Sequence, residues 1–513
     1  MTPGGNIGPV GRRQILRTLG KAGAGVGIAN TGAADRAGDG EAVSGLFRAL
    51  GIGSTDERGV DEEAIDQHGA RNAEGRRDLG IQQQSGWNRF FNHGLEDLIP
   101  DTEANGGGCL IELGDNKSVK RFDAEGKKGW ETSYETYIDD LIPVSEANGG
   151  GYLVAIDGEL LRLGRDGSPQ WRQNYDEDGV GRYISAITEA GSNGFLVGGG
   201  TSIDDIGVSW VAKLSEDGAV TWELRKGLHG SPGVYGEGVY DVHRATDGGY
   251  LIETERRHTI VLAKIDETGA LVWSHQFGGE EIFVMDDDSS FAEKDYTGRL
   301  VRVTAEGTIT WQKLFVPDQI LEGEDGYLFA RWLGWKNIVE LFRPHGGRQW
   351  WREYDQRYTA VEADPDGYVL FGDDTVRKIS GAGANEWERP LYLPTDIEYL
   401  SHLDDGGYLL GGIDESRDQT WSWIAMRGNL AGGLAVLPDV DGDGNPSRNP
   451  GGGRRFEDVN GDGSTDVGDA QALYENRNSP GIQINRELYD FNNDGEVNVG
   501  DAQALFAEVT EED

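Results

Sequence analysis

The sequence predicts an all-β body, a β-propeller of eight four-stranded blades or of seven, followed by a small α-helical module built on two acidic loops. Three observations carry this. A phrase of the form strand, turn, glycine, three residues, tryptophan occurs seven times between residues 118 and 387. A glycine-rich, apolar mark falls between successive tryptophans. Towards the C-terminus, a twelve-residue acidic loop and the AQAL that follows it occur twice, 32 residues apart.

In chain order, residues 1–34 come first. Arg12-Arg13, then Ile15-Leu16 and a Gly/Ala-rich run ending near Ala34, resemble a twin-arginine export signal; the alternative is a basic tail. The resemblance implies a protein that folds before it is exported, to the extracellular space or the cell surface. The single Cys109 agrees, since no disulfide framework can form. No stretch has the apolar length of a bilayer span, so a membrane-spanning protein is not expected.

Composition bounds the partners. Asp and Glu number 90 against 47 Lys and Arg, a formal balance of −43, and Arg outnumbers Lys 35 to 12. This is the pattern of a halophilic, haloarchaeal-type protein: at molar salt the screening length is about 3 Å, so the charge keeps the surface hydrated with little self-repulsion. Such a surface argues against nucleic acid as partner. Residues 35–84 mix glycine, charge and QQQ around one apolar patch, AVSGLFRALGIG, and are expected to form a flexible linker.

Residues 85–430 hold the repeat. Its tryptophans are Trp130, Trp171, Trp222, Trp273, Trp311, Trp350 and Trp387, at intervals of 41, 51, 51, 38, 39 and 37. Between them lie NGGGCLI, NGGGYLV, SNGFLVG, DGGYLIE, DGYLFA, DGYVLFG and DGGYLLG; only the unit after Trp273 is blurred, as EEIFVMDDDSSF. Short alternating runs broken by Gly/Asp turns are hairpins, and a period near 40 with four strands is one propeller blade. The tryptophan then packs between blades. Trp87, in SGWNRFFNHG, lacks a preceding strand, whereas YLLGGIDESRDQTWSWIAMRGNL lacks an outer one. The N-terminal strand is therefore expected to complete the last blade, closing a ring of eight; seven follows if the blurred unit is not a blade.

The phrase clearest as DETGALVW, Asp266 to Trp273, resembles the repeat of pyrroloquinoline-quinone-like propellers. The resemblance implies the fold over about 85–430. Quinoprotein alcohol dehydrogenases also carry an adjacent cysteine pair, which a one-cysteine chain lacks, so no quinone is expected.

Residues 431–455 read as a linker containing a partial acidic loop, DVDGDG, with Asp439, Asp441, Asp443 and Gly444. Ser447 and Pro450 stand where the ninth and twelfth positions would need ligands. It is a partial calcium site or a plain acidic turn.

Residues 456–513 hold DVNGDGSTDVGD and DFNNDGEVNVGD. Oxygen-bearing side chains stand at loop positions 1, 3, 5, 9 and 12, a glycine at 6 and a backbone carbonyl donor at 7, the spacing of a calcium loop. Two loops in register set this apart from general acidity. After each, an exit helix is expected to place Val467, Ala470, Leu473 and Tyr474, and Val499, Ala502, Leu505 and Phe506, on one face. RNPGGGRRFE forbids an entering helix before the first loop. Loop, exit helix, loop, exit helix resembles a type I dockerin over about 456–507. The resemblance implies two calcium ions, one at Asp458, Asn460, Asp462, Ser464, Asp466 and Asp469, the other at Asp490, Asn492, Asp494, Glu496, Asn498 and Asp501. Ser464 and Glu496 would contribute their carbonyls. Thr465 departs from the aliphatic residue usual at its position. Val467-Gly468 and Val499-Gly500 replace the polar pair that in well-studied dockerins helps choose a cohesin. The protein partner is therefore unspecified.

Catalytic candidates are few. HExxH, P-loop and G-x-S-x-G motifs are missing from the sequence. His243 and His402 fall in presumed inner strands near Asp241 and Asp404-Asp405, where propeller enzymes place acids and bases, but catalytic and cofactor-binding residues are assigned to none. Two functions remain: a secreted, non-catalytic scaffold that binds a protein or glycan, or an extracellular carbohydrate-active enzyme of polysaccharide catabolism carrying an attachment module.

Overall fold

A computed structural model describes residues 86–511 except 115–116, 177–180, 193, 204–205, 226–237, 257–258, 279–281, 295–297, 324–325, 365–366, 373–374, 394–396, 404–406, 415–419, 428–433, 441–445 and 449–454. The segments expected to be an export signal, 1–34, and a linker, 35–84, lie outside the described residues. So do Asp404, Asp405, Asp441 and Asp443.

Eight antiparallel sheets of four strands form the ring, and in seven of them the strands run in simple sequence order. Blade four is representative: Gly238–Arg244, Tyr250–Arg256, Thr259–Ile265 and Leu271–Phe277, from inner to outer. The blurred unit after Trp273 is a blade with short strands, Ile282–Val284, Ser290–Glu293, Leu300–Val303 and Ile309–Lys313. The ring thus has eight blades, not seven. In the eighth, Gly86–Phe91 pairs with Trp421–Arg427, from Gly86 opposite Arg427 to Phe91 opposite Ser422. The two ends of the repeat region complete one sheet, as their complementary gaps predict.

Seven tryptophans lie between blades and bind forward. Trp87, Trp130, Trp171, Trp222, Trp273, Trp311 and Trp350 donate their indole N–H to Ala124, Arg165, Glu216, Glu267, Ala305, Pro344 and Gly381 in the next blade, at 2.7–3.2 Å. Each receiving turn holds the glycine of the phrase beneath the ring. Gly307 shows why: its φ is 80°, and an added Cβ would lie 2.6 Å from Trp273 Cγ. The spacing G-x-x-x-W therefore links two functions of one hairpin. Its glycine leaves room for the preceding blade's indole, whose N–H donates to the carbonyl two residues before that glycine, and its tryptophan reaches into the following blade.

A second tie was not read from the sequence. In six of the eight blades the third strand carries a basic residue just before its last apolar one, and several are buried: Arg121, Arg162, Lys264 and Arg302. Arg121 Nε meets Asp101 Oδ2 at 2.8 Å, and Tyr152 of blade two donates to the same oxygen at 2.8 Å. Arg302 and Tyr327 hold Asp287 likewise, at 3.1 and 2.6 Å. A buried charge is tolerable only when so paired. The tyrosines Tyr152 and Tyr327 of two such marks thus tie one blade to the next.

The C-terminal helices are Val467–Asn476, Pro480–Ile484 and Val499–Glu511. The first and last pack together around Val459, Leu473, Ile482, Tyr489, Phe491, Ala502 and Leu505. Between propeller and helices, Leu434–Ala435 adds a parallel fifth strand to blade seven, opposite Leu391 and Tyr392.

Candidate metal centres

The two acidic loops fold by the same hydrogen bonds. In the first, Gly463 N–H donates to Asp458 Oδ2 (3.0 Å), Asp462 N–H to Asn460 Oδ1 (3.1 Å) and Ser464 N–H to Asp462 Oδ1 (2.8 Å). In the second, Gly495 N–H donates to Asp490 Oδ2 (3.0 Å), Asp494 N–H to Asn492 Oδ1 (2.9 Å) and Glu496 N–H to Asp494 Oδ1 (2.9 Å). Gly463 and Gly495 have φ of 92° and 87°, which is why position 6 must be glycine. Position 4 is also left-handed, and is Gly461 in one loop and Asn493 in the other.

Loop position 12 ties each loop to its helix. Asp469 accepts from Asn460 N–H and Asp466 N–H, at 3.1 and 2.7 Å; Asp501 accepts from Asn492 and Asn498, at the same distances. Asp466 caps the first exit helix and forms a capping box with Asp469. Positions 9 and 12 thus serve loop and helix alike.

The electrostatics favour a cation. Asp458, Asp469 and Asp501 are fully buried, the side chains at the other candidate oxygen positions half-buried or exposed. Asp458 Oδ1 is buried with no hydrogen-bond partner among the described residues, a state that costs free energy unless something positive approaches. Burial pushes the carboxyls of all three above the ordinary aspartate range, and nearby Asp462, Asp458, and Asp490 with Asp494, respectively, push the same way. The residues therefore fit a hard divalent cation held by oxygen. Among the described residues no group of three or more His, Cys, Asp or Glu side chains converges as a metal site, the two loops included; the fit of the loops rests on their asparagine and backbone oxygens together with the aspartates.

The exit helices differ from expectation in one respect. Ala470, Leu473, Ala502 and Leu505 face the core and Tyr474 and Phe506 flank it, but Val467 and Val499 are 48% and 36% exposed. They open their helices, before the axis has turned towards the core. A matched pair of valines therefore faces solvent.

The inner-strand histidines are engaged within their own blades. His243 is buried with Nε2 at 3.4 Å from Asp241 Oδ2, and His402 lies edge-on to Tyr408. Cys109 is fully buried at the place other blades give to the GGY tyrosine, and burial pushes its thiol up.

Glu322, on the inner strand of blade six, was not singled out from the sequence. Burial and the charges of Asp287 and Asp286 raise its carboxyl to about 7. With the folded value above the ordinary 4.5, its contribution to stability is complete below pH 4.5 and lost as pH rises through 7. Glu322→Gln is expected to match the native protein at pH 4.5 and to exceed it at pH 8 by roughly 1–2 kcal/mol, after discounting for solvent screening. Denaturant midpoints at the two pH values check this; a constant difference would contradict it.

Comparison with known proteins gives the C-terminal module its family. Residues 456–509 match the Dockerin type I domain, and domains of this type bind calcium and mediate attachment to another protein. No curated protein matches the chain. Among solved structures, BamB from Moraxella catarrhalis is similar over 67% of this chain and 99% of its own, at 14% identity and a TM-score of 0.45. Virginiamycin B lyase from Staphylococcus aureus is similar over 56% and 96%, at 14% identity and 0.37. The Pan2 WD40 domain of Neurospora crassa is similar over 66% and 90%, at 10% identity and 0.37. Among the described residues no helix is long and apolar enough to cross a membrane. The C-terminal region is a type I dockerin domain attached to an eight-bladed propeller.

Proposed function

We propose that the protein is an exported, non-catalytic binding scaffold. Its propeller displays loops for a protein or glycan, and its dockerin, loaded with two calcium ions, attaches it to a protein partner outside the cell or on its surface. One ion is held by Asp458, Asn460, Asp462, Asp466, Asp469 and the Ser464 carbonyl. Its counterpart takes Asp490, Asn492, Asp494, Asn498, Asp501 and the Glu496 carbonyl. The observation that carries this reading is the duplicated loop geometry around the unpartnered Asp458 Oδ1. Arg12-Arg13 supports export by the twin-arginine route, and the acidic, arginine-rich composition supports work at high salt.

Val467 and Val499 supply an apolar contact at matched positions of the exit helices. Exposed apolar pairs rimmed by acidic side chains suit a partner with an apolar centre and a basic rim. The test is binding of full-length protein to a cohesin and glycan panel, in calcium and in chelator, alongside a polysaccharide-turnover assay. Calcium-dependent protein binding, weakened at least about tenfold by Val467→Asp with Val499→Asp, is expected. Polysaccharide cleavage would overturn the non-catalytic reading.

A further inference from the structure

The ring has one junction unlike the rest. In seven junctions a tryptophan is received by the glycine turn joining the third and fourth strands of the next blade. Blade eight has no such turn, because Trp421–Arg427 and Gly86–Phe91 come from opposite ends of the propeller sequence. Trp387 of blade seven therefore faces a junction without a receiving hairpin.

Residues from the connecting segment and from the C-terminal module together occupy that junction. Val436 and Ile484 are buried in one cluster with Leu391, Trp421 and Trp423, and Trp387 and Phe90 pack against it. Asn88 Nδ2 donates to Leu437 O at 2.6 Å. Gly481 lies so close to Phe90 and Pro438 that a Cβ there would come within 3.2 and 2.7 Å of them. The helix Pro480–Ile484 faces both ways, since its Ile482 is fully buried in the core of the calcium module. Gln483 Nε2 reaches Val497 O in the second loop at 3.3 Å.

We propose that the dockerin is the clasp of the propeller: it fills the junction between blades seven and eight, so that calcium in its loops reinforces ring closure. The inference rests on the calcium reading above. Its chain of contact is short. Calcium fixes the two loops, the loops fix the exit helices, and the helices hold the segment 480–484 whose Ile484 enters the propeller. A ligand that binds only the assembled form stabilises everything coupled to that form.

The tryptophans give a selective readout, because all 14 precede residue 424 and the module has none. Thermal unfolding of the full chain would be followed by tryptophan emission, with bound calcium measured on the same samples. Chelation is expected to lower the tryptophan-reported midpoint by roughly 4–8 °C. Ile484→Glu should lower it comparably at saturating calcium and abolish its dependence on calcium, while two ions still bind. An unchanged native midpoint after the calcium has left would overturn the coupling. If no calcium binds at all, the calcium reading fails on its own, and an unshifted midpoint in Ile484→Glu would then overturn the clasp as well.

Discussion

A chain lacking residues 86–91 is expected to lose more than about 10 °C in its tryptophan-reported midpoint and to self-associate. These six residues form the outer strand of blade eight and supply its whole ladder to Trp421–Arg427. They also carry the tie to blade one. Trp87 is buried among Leu95, Leu98, Cys109 and Phe122, and its indole N–H reaches Ala124 O at 2.8 Å. Truncating one such buried tryptophan costs about 3–5 kcal/mol. The deletion adds an unpaired edge and exposes the buried faces of Leu409 and Ile424. Phe90 and Asn88 would be lost from the other junction, taking with them contacts to the C-terminal segment. Deleting residues 35–80 is the control and should shift the midpoint little. Calorimetry and light scattering on the two deletions make the comparison, and equal tolerance of both would contradict closure by this strand.

The ring was legible because its repeating parts are constrained at single residues. A glycine at positive φ beneath an indole admits no other side chain, so Gly126 through Gly383 mark their turns in the sequence. The blurred fifth blade has an inner strand of only three residues, Ile282–Val284, too short for alternation to show. The pairing of the buried third-strand basic residues was not legible, because a strand pattern cannot reveal that Arg121 and Arg302 find a carboxylate and a tyrosine from neighbouring elements. Glycine, proline and aspartate make 431–455 read as a linker. The contacts of Val436 and Leu437 depend on a junction that exists only once the ring has closed. For the loops, the repeated turn geometry was readable because its spacing lies within twelve residues. Helical periodicity, by contrast, misassigned Val467 and Val499, because it does not show where the helix begins.

Loss of calcium is the second large effect expected. Without a cation, each loop keeps a buried aspartate beside other carboxylates, and a module of this size has little core to offset that repulsion. Asp466 and Asp469 also begin the first exit helix, so a disordered loop would fray that helix at its N-terminus. Extracellular calcium modules bind at roughly 10⁻⁴ to 10⁻³ M, and at a hundred times Kd one site adds about 2.7 kcal/mol. Chelation is therefore expected to reduce the helical circular dichroism of the full chain while the β signal persists.

Calorimetric titration of calcium into the chelator-treated full-length protein, in molar salt, tests the reading most directly. The native chain should bind two ions. Asp458→Ala with Asp462→Ala should bind one, Asp490→Ala with Asp494→Ala one, and the fourfold variant none. A native chain that takes up no calcium, or loop variants that still bind two ions, would contradict it.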